Sequence, residues 1–226
     1  MKLIFQTPLL SAFSLVLFVG CATFRSDLHG AYKGSVDKNP SSKPVSVLFH
    51  FTLVEQEMGY DAIPKVVGKM SMIRSFDDVF HDASRELTNL GKYTTFTEEA
   101  SDVNHPERRA TRDSLIGLYD YTMRIRFVKE KRFIPQFFAG FAMTITATIV
   151  PVPFHQWYRM ESDVYARDGK LVGTYKREVN LAKWVELFLV FAYPFYPEDR
   201  KREEAMLIMF HDTFKQIDVE KVLVNR

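Results

Sequence analysis

Cysteine is nearly absent: Cys21 is the one thiol in 226 residues. A single thiol closes no internal disulfide and supplies neither a paired-cysteine zinc site nor a redox pair. Recognisable catalytic signatures are missing as well. The chain has no H-E-x-x-H, no G-x-S-x-G, no Walker loop and no G-x-G-x-x-G, so nothing local marks a metalloprotease, a serine hydrolase or a nucleotide site. Excess charge of either sign is missing too. Thirty Lys and Arg against 28 Asp and Glu leave a net charge of +2, which excludes the strongly basic face of a general nucleic-acid binder. Finally, charge disappears altogether from two stretches, 133–158 and 187–197.

What is present is aromatic and apolar. Phe occurs 20 times and, with 10 Tyr and 2 Trp, brings the aromatic share to 14%. Hydrophobic residues make up 46% and charged residues 26%, a balance that supports a packed core and argues against wholesale disorder. At the start, Lys2 gives a positive end, Leu9 to Val19 an apolar run, and Phe18-Val19-Gly20-Cys21 a small-residue exit. That is the layout of an export signal. An unpaired cysteine in an exported chain calls for an explanation.

The stretch resembles the bacterial lipoprotein signal, whose lipobox ends in a small or β-branched residue, Gly or Ala, and Cys, here Val19-Gly20-Cys21. The resemblance implies cleavage before Cys21 and acyl chains on its sulfur and new amino group. No other cofactor is expected. It also implies a small envelope lipoprotein of a diderm bacterium, bound to the bilayer through acylated Cys21. Ala22, rather than Asp, after the cysteine implies the outer membrane, with the chain facing the periplasm. Two other readings stay open. Gly20-Cys21-Ala22 also suits cleavage after Ala22 and soluble secretion, and an uncleaved anchor helix fits the same apolar run.

The expected organisation is a signal peptide at 1–20, a flexible tether at 21–44 and one domain at 45–226. Gly30, Gly34, Pro40, Ser41, Ser42 and Pro44 give the tether its character. Val45 to Val54 reads as a strand covered on both sides, with His50 as a satisfied core histidine. Val66 to Ile73 suggests a short strand. Ser75 and Asp78 form a capping box for a helix with a Phe76, Val79, Phe80, Ala83, Leu87, Leu90 stripe, ended by Gly91. Tyr93 to Thr97 returns as a strand. Asp102 to Asp113, with Arg108, Arg109 and Arg112, reads as a solvated loop or short helix rather than an anionic-ligand site.

Tyr119 to Phe127 alternates as a half-buried strand. Trp157 to Val179 reads as a hairpin turning at Asp168-Gly169. A two-residue loop pairs Arg167 with Lys170 and sets Arg159 against Glu178, Glu161 against Lys176 and Asp163 against Thr174. Tyr158, Met160, Val164, Leu171 and Tyr175 fall on its other side. A last helix starts near Pro197 and buries Met206, Leu207, Phe210, Phe214 and Ile217. The fold class expected is α+β or mixed α/β, in one domain.

The uncharged stretches carry the functional expectation. The proline-free part, 136–150, reaches only about 22 Å as a helix, short of the ~30 Å hydrocarbon core. Either it covers the core, or Phe137, Phe138, Phe141, Ile145, Leu189 and Phe191 meet the bilayer or an envelope protein. Lys129, Lys131 and Arg132 before one stretch, and Arg200, Lys201 and Arg202 after the other, suit lipid headgroups. The reading is therefore a non-enzymatic membrane-associated or interaction module. Its alternatives are a small hydrolase using His81 and His211, or a carrier of an apolar ligand. Ser35 and Lys38 match S-x-x-K but lie in the expected tether, where nothing holds a nucleophile rigid. Labelled palmitate is expected to enter the chain and to be lost in Cys21→Ala; incorporation surviving that substitution rules out the lipobox.

Overall fold

Seven strands form one mixed sheet in this computed structural model, which describes residues 20–34, 43–59, 61–67, 76–146, 149–186 and 195–223. The elements run β1 (Gly20–Arg25), β2 (Val45–Met58), β3 (Asp61–Val66), α1 (Phe76–Ser84), β4 (Leu90–Glu98), a 3-10 turn (Ala100–Asn104), α2 (Pro106–Ile116), β5 (Tyr121–Arg132), α3 (Phe133–Ile145), β6 (Val152–Ala166), β7 (Leu171–Glu186) and α4 (Glu198–Val219). The order across the sheet is β1-β7-β6-β5-β2. The far edge of β2 is shared, with β4 running parallel to its first half and β3 antiparallel to its second. One domain of mixed α and β content results, the expected fold class.

Strand β2 lies parallel to β5 over twelve positions, from Val47↔Tyr121 to Met58↔Arg132. Asp120 fixes that register. It accepts from the Ser46 hydroxyl at 2.7 Å and the Ser46 N–H at 2.8 Å, and those two bonds hold its carboxyl below the ordinary carboxylate range. Odd-numbered residues of β2 (Val45 to Leu53) and of β5 (Tyr121 to Phe127) then face the core. On β2 the opposite face is covered as well, since Leu48 is 0% and His50 7% exposed.

Helices α1 and α4 cover the core face. Phe210 of α4 lies at its centre, with ring centroids at 5.3 Å from Phe127, 5.4 Å from Phe214, 5.8 Å from Phe80 and 6.2 Å from both Phe51 and Phe76. Most of these pairs are edge-to-face or tilted, the arrangement the ring quadrupole favours. Arg177 of β7 shares this face and is 4% exposed; its Nε lies 2.5 Å from Asp212 of α4, and a second guanidinium nitrogen donates to Gln216. Asp212 also accepts the Tyr32 N–H at 3.0 Å.

That contact corrects part of the expected tether. Residues 20–25 are a sheet strand, with Ala22 and Thr23 buried, and His29 bridges to Glu178. Thus 20–32 packs as part of the domain, because β1 satisfies the open edge of β7. The helix expected to run to Leu90 stops at Ser84. Asp218 accepts from the Thr88 N–H and hydroxyl at 2.8 and 2.7 Å, which draws the chain into a turn, so Leu90 and Gly91 open β4 instead. Ser75 lies outside the described residues. Of the strand expected at 66–73, residues 68–73 lie outside the described residues; a strand runs at Asp61–Val66, and Pro64 is accepted there because β3 is an edge.

The hairpin register is as expected from Arg159↔Glu178 to Asp163↔Thr174, but its turn is not. Gly169 N–H donates to Ala166 O, Ala166 N–H to Lys170 O, and Gly169 has φ +80, so the loop is Arg167-Asp168-Gly169. A bulge between Val164 and Tyr165 restores the pairing. It also turns Leu171 to the outer side, where it is 49% exposed rather than buried.

Phe210→Ala is expected to cost about 3–5 kcal/mol of unfolding free energy, read from the denaturant midpoint. Arg177→Ala is expected to cost about as much, by leaving the half-sequestered Asp212 carboxylate unpaired.

Candidate functional site

Strand β5 passes into α3 without a turn, Arg132 being the residue before its first helical position. None of the thirteen residues of α3 is buried. Phe137 is 57% exposed, Phe138 62%, Phe141 58% and Ile145 68%. Residues 133–143 carry no β-branched run and favour the helix; Thr144-Ile145-Thr146 closes it. Its few polar side chains are satisfied inside the protein. The Thr144 hydroxyl donates to Gly140 O and the Thr146 hydroxyl to Ala142 O, both at 2.9 Å, and Gln136 donates to His155 O at 3.4 Å. Such back-bonding is unneeded in water and useful where water is absent.

The sheet register places Cys21 at the same end of the sheet as this helix. Cys21 pairs with Val185 of β7, and Val185 pairs with Val152 of β6. Immediately before Val152 come Pro151, Val150 (51% exposed) and Ile149 (62%), the run leading out of α3. After Glu186, the partner of Gly20, the chain enters the second uncharged stretch. Leu189 and Phe191 lie outside the described residues. The described end of that stretch, Phe195 and Tyr196, is 70% and 38% exposed, and Tyr196 packs on Phe24 at 5.1 Å. One end of the sheet therefore gathers Cys21, α3 and the approach to α4. Cations stand over aromatic rings there: Arg132 over Trp157 at 4.2 Å and Lys201 over Tyr196 at 5.6 Å. Among the described residues no helix is long and apolar enough to cross a membrane.

The histidine pair expected for a hydrolase does not assemble. His211 stands 3.2 Å from both Glu86 and Asp82, tying α4 to α1, while the His81 ring is exposed and forms no hydrogen bond or ion pair among the described residues. No group of three or more His, Cys, Asp or Glu among the described residues is placed to hold a metal. Ser35 and Lys38 lie outside them.

A second feature went unforeseen. On the sheet face away from α1 and α4, beneath α2, lies a cleft of about 470 Å³ lined by His50, Glu98, Arg112, Arg124, Asp163 and Tyr165, among others. Its charged lining does not suit an apolar ligand. His50 is buried, as expected of a core histidine, but it is not satisfied: neither ring nitrogen has a hydrogen-bond partner, and Glu98 stands 3.5 Å away. Burial, then the nearby Arg124 and Arg112, lower its pKa from 6.5 against the pull of Glu98. Of the arginines read as solvent-facing, Arg108 is committed to Asp102 and Thr97 O, and Arg112 reaches Asp113 at 2.9 Å and Glu98 at 4.0 Å. His50 and Arg124 are register partners, a juxtaposition visible only once β2 is known to lie parallel to β5.

No family model and no curated protein matches the chain. Among solved structures it is similar to the PelC dodecamer from Paraburkholderia phytofirmans in space group P6, at 6% identity and a TM-score of 0.31, over 91% of this chain and 99% of that one. A single-substitution variant of that dodecamer in space group C2 gives 6% identity and 0.29 over 85% and 96%. Likeness at this level carries no argument about fold or function.

Phe137→Ser with Phe141→Ser is expected to leave unfolding free energy within about 0.5 kcal/mol per substitution, since neither ring is part of the core. Because the folded state holds His50 below its ordinary pKa, the unfolded chain binds the extra proton first. Stability from this group is thus full above pH 6.5, declines as pH falls below it, and levels off under the folded pKa. A pH series of denaturation midpoints on the chain and on His50→Gln isolates that loss.

Proposed function

We propose that the chain is a lipid-anchored lipoprotein of a bacterial envelope, held by acyl chains on Cys21. In this reading it has no chemistry of its own and lays segments 133–154 and 187–197 against the bilayer. The observation that carries the reading is the register Cys21↔Val185↔Val152, which brings Cys21 and the described residues bordering both uncharged segments to one end of one sheet. Anchor and apolar helix then act on the same membrane, and neither has to reach around the domain. Supporting it, α3 has no buried side chain, and its threonine hydroxyls bond back to the helix. A helix of 13 residues lies in the interface rather than spanning, as an amphipathic or apolar interfacial helix does. Lys131 and Arg132 precede it and Arg200 follows the second uncharged stretch, at headgroup level in this reading. The orientation assigned is the outer membrane, periplasmic side, following Ala22.

Each phenylalanine moved from water into acyl chains contributes about 1.5–3 kcal/mol. The mature chain carrying Cys21→Ala is therefore expected to float with phosphatidylglycerol-containing liposomes. Phe137→Ser with Phe138→Ser and Phe141→Ser is expected to weaken that association by at least about a hundredfold. A monomeric Cys21→Ala chain that stays with the soluble fraction would contradict the bilayer contact.

A further inference from the structure

Beneath α2 the sheet presents a cleft that membrane attachment leaves unused. We propose that it binds the carboxylate or phosphate head of a small soluble anion, held chiefly by Arg124 and Arg112 beside His50. This stands apart from the anchoring at Cys21 and needs no part of it.

Three observations converge on the site. The first is His50, more than nine-tenths buried and lining the cleft, with no hydrogen bond to Nδ1 and with Glu98 3.5 Å from Nε2. A buried polar side chain without a hydrogen bond is costly, and natural proteins rarely carry one without a purpose. The second is Arg124. Its guanidinium stacks over Tyr165 at 4.8 Å and makes no ion pair among the described residues. Stacking occupies the flat face and leaves the N–H edge free, the edge that grips a planar carboxylate or a phosphate by two parallel bonds. The third is the roof. Helix α2 buries no residue and is held to β4 through Arg108, which also packs on Phe96, so a ligand enters without disturbing the core. The volume suits a small organic molecule.

Charge bookkeeping decides what enters. Glu98, Asp113, Glu161 and Asp163 are balanced by Arg112, Arg124 and Arg126 in the lining and by Lys176, 3.7 Å from Glu161. With His50 uncharged the lining alone carries one net negative charge, which Lys176 just outside it offsets, and a bound monoanion adds another. His50 is faced by Glu98 from β4, Arg124 from β5 and Arg112 from α2, with Phe96 edge-on at 5.6 Å. An anion bridging the two arginines offsets the positive charge that disfavours the imidazolium and adds to the pull of Glu98. Between the free and bound pKa values of His50, binding is thus accompanied by uptake of up to one proton there. The sign is definite: affinity is greatest below the free pKa of His50, falls about tenfold per pH unit up to the bound pKa, and is flat above it.

Ring NMR of the histidines in the intact mature chain tests this, with inorganic phosphate and then citrate as probes and His50→Gln for assignment. The expected result is a saturable shift of the His50 ring, a raised His50 pKa, and at least tenfold weaker binding in Arg124→Gln with the remaining spectrum unchanged. Arg124→Lys, which keeps the charge but loses the fork, is expected to fall between. His50→Gln is expected to keep only the pH dependence that the probe's own ionisation imposes between about pH 5 and 8, and to lose the part contributed by the histidine, which titrates in that window. An unmoved His50 pKa with both probes overturns the proposal. So does full affinity in Arg124→Gln, or a response only to phosphatidic acid vesicles.

Discussion

The contact on which the rest depends is Phe210 against the sheet. Its ring touches Phe51 and Phe127 below and Phe76, Phe80 and Phe214 beside it, joining two strands and two helices at one point. Aromatic pairs at these separations add about 0.5–1.5 kcal/mol each beyond simple burial. With both packing helices used on one face, the other face is left to β-sheet side chains and α2. Its outward positions carry Arg124, Arg126, Arg159, Glu161, Lys176 and Glu178, paired across the strands at 3.2 to 3.7 Å where they pair. Exposed pairs of this kind add little stability. What they leave is a wetted, charge-balanced surface able to enclose a polar cleft.

Much of the core was legible because it obeys local periods. The stripe Met206, Phe210, Phe214, Ile217 and the alternation Tyr121, Met123, Ile125, Phe127 each follow from one element's geometry. The hairpin was legible from charge, Arg159 against Glu178 and Glu161 against Lys176, even though the loop is a residue longer than expected and a bulge makes up the difference. What local reading missed depends on distant partners. Asp218 ends α1 from 130 residues away through Thr88. Asp212 and the open edge of β7 hold Tyr32 and β1, so glycines and a polar composition looked like linker where the chain is part of the sheet. Arg177, a charge on the core face, is intelligible only with Asp212 beside it.

The candidate sites divide the same way. The exposure of Phe137, Phe138, Phe141 and Ile145 was foreshadowed by an apolar helix with no polar side and no charge to satisfy. That Cys21 and that helix share one end of the sheet was not legible, since it requires the order β1-β7-β6. His50 was read correctly as buried and wrongly as satisfied. Nothing in its neighbourhood along the chain announces Arg124, Glu98 or Tyr165, which arrive from three other strands.

The length of β5 has a consequence for how the two ends of the molecule work together. Arg132 marks the end carrying α3, and Arg124 lies eight residues back along the same strand, or about 26 Å at ~3.3 Å per residue. On the proposed anchoring, and with β5 along the membrane normal, an ion at Arg124 would stand some three Debye lengths above the headgroups at physiological salt, roughly 8 Å each. The surface potential of the leaflet has decayed to almost nothing at that height. Occupancy of the proposed anion site would then follow the bulk composition of the surrounding compartment and its acidity, whichever lipids lie underneath.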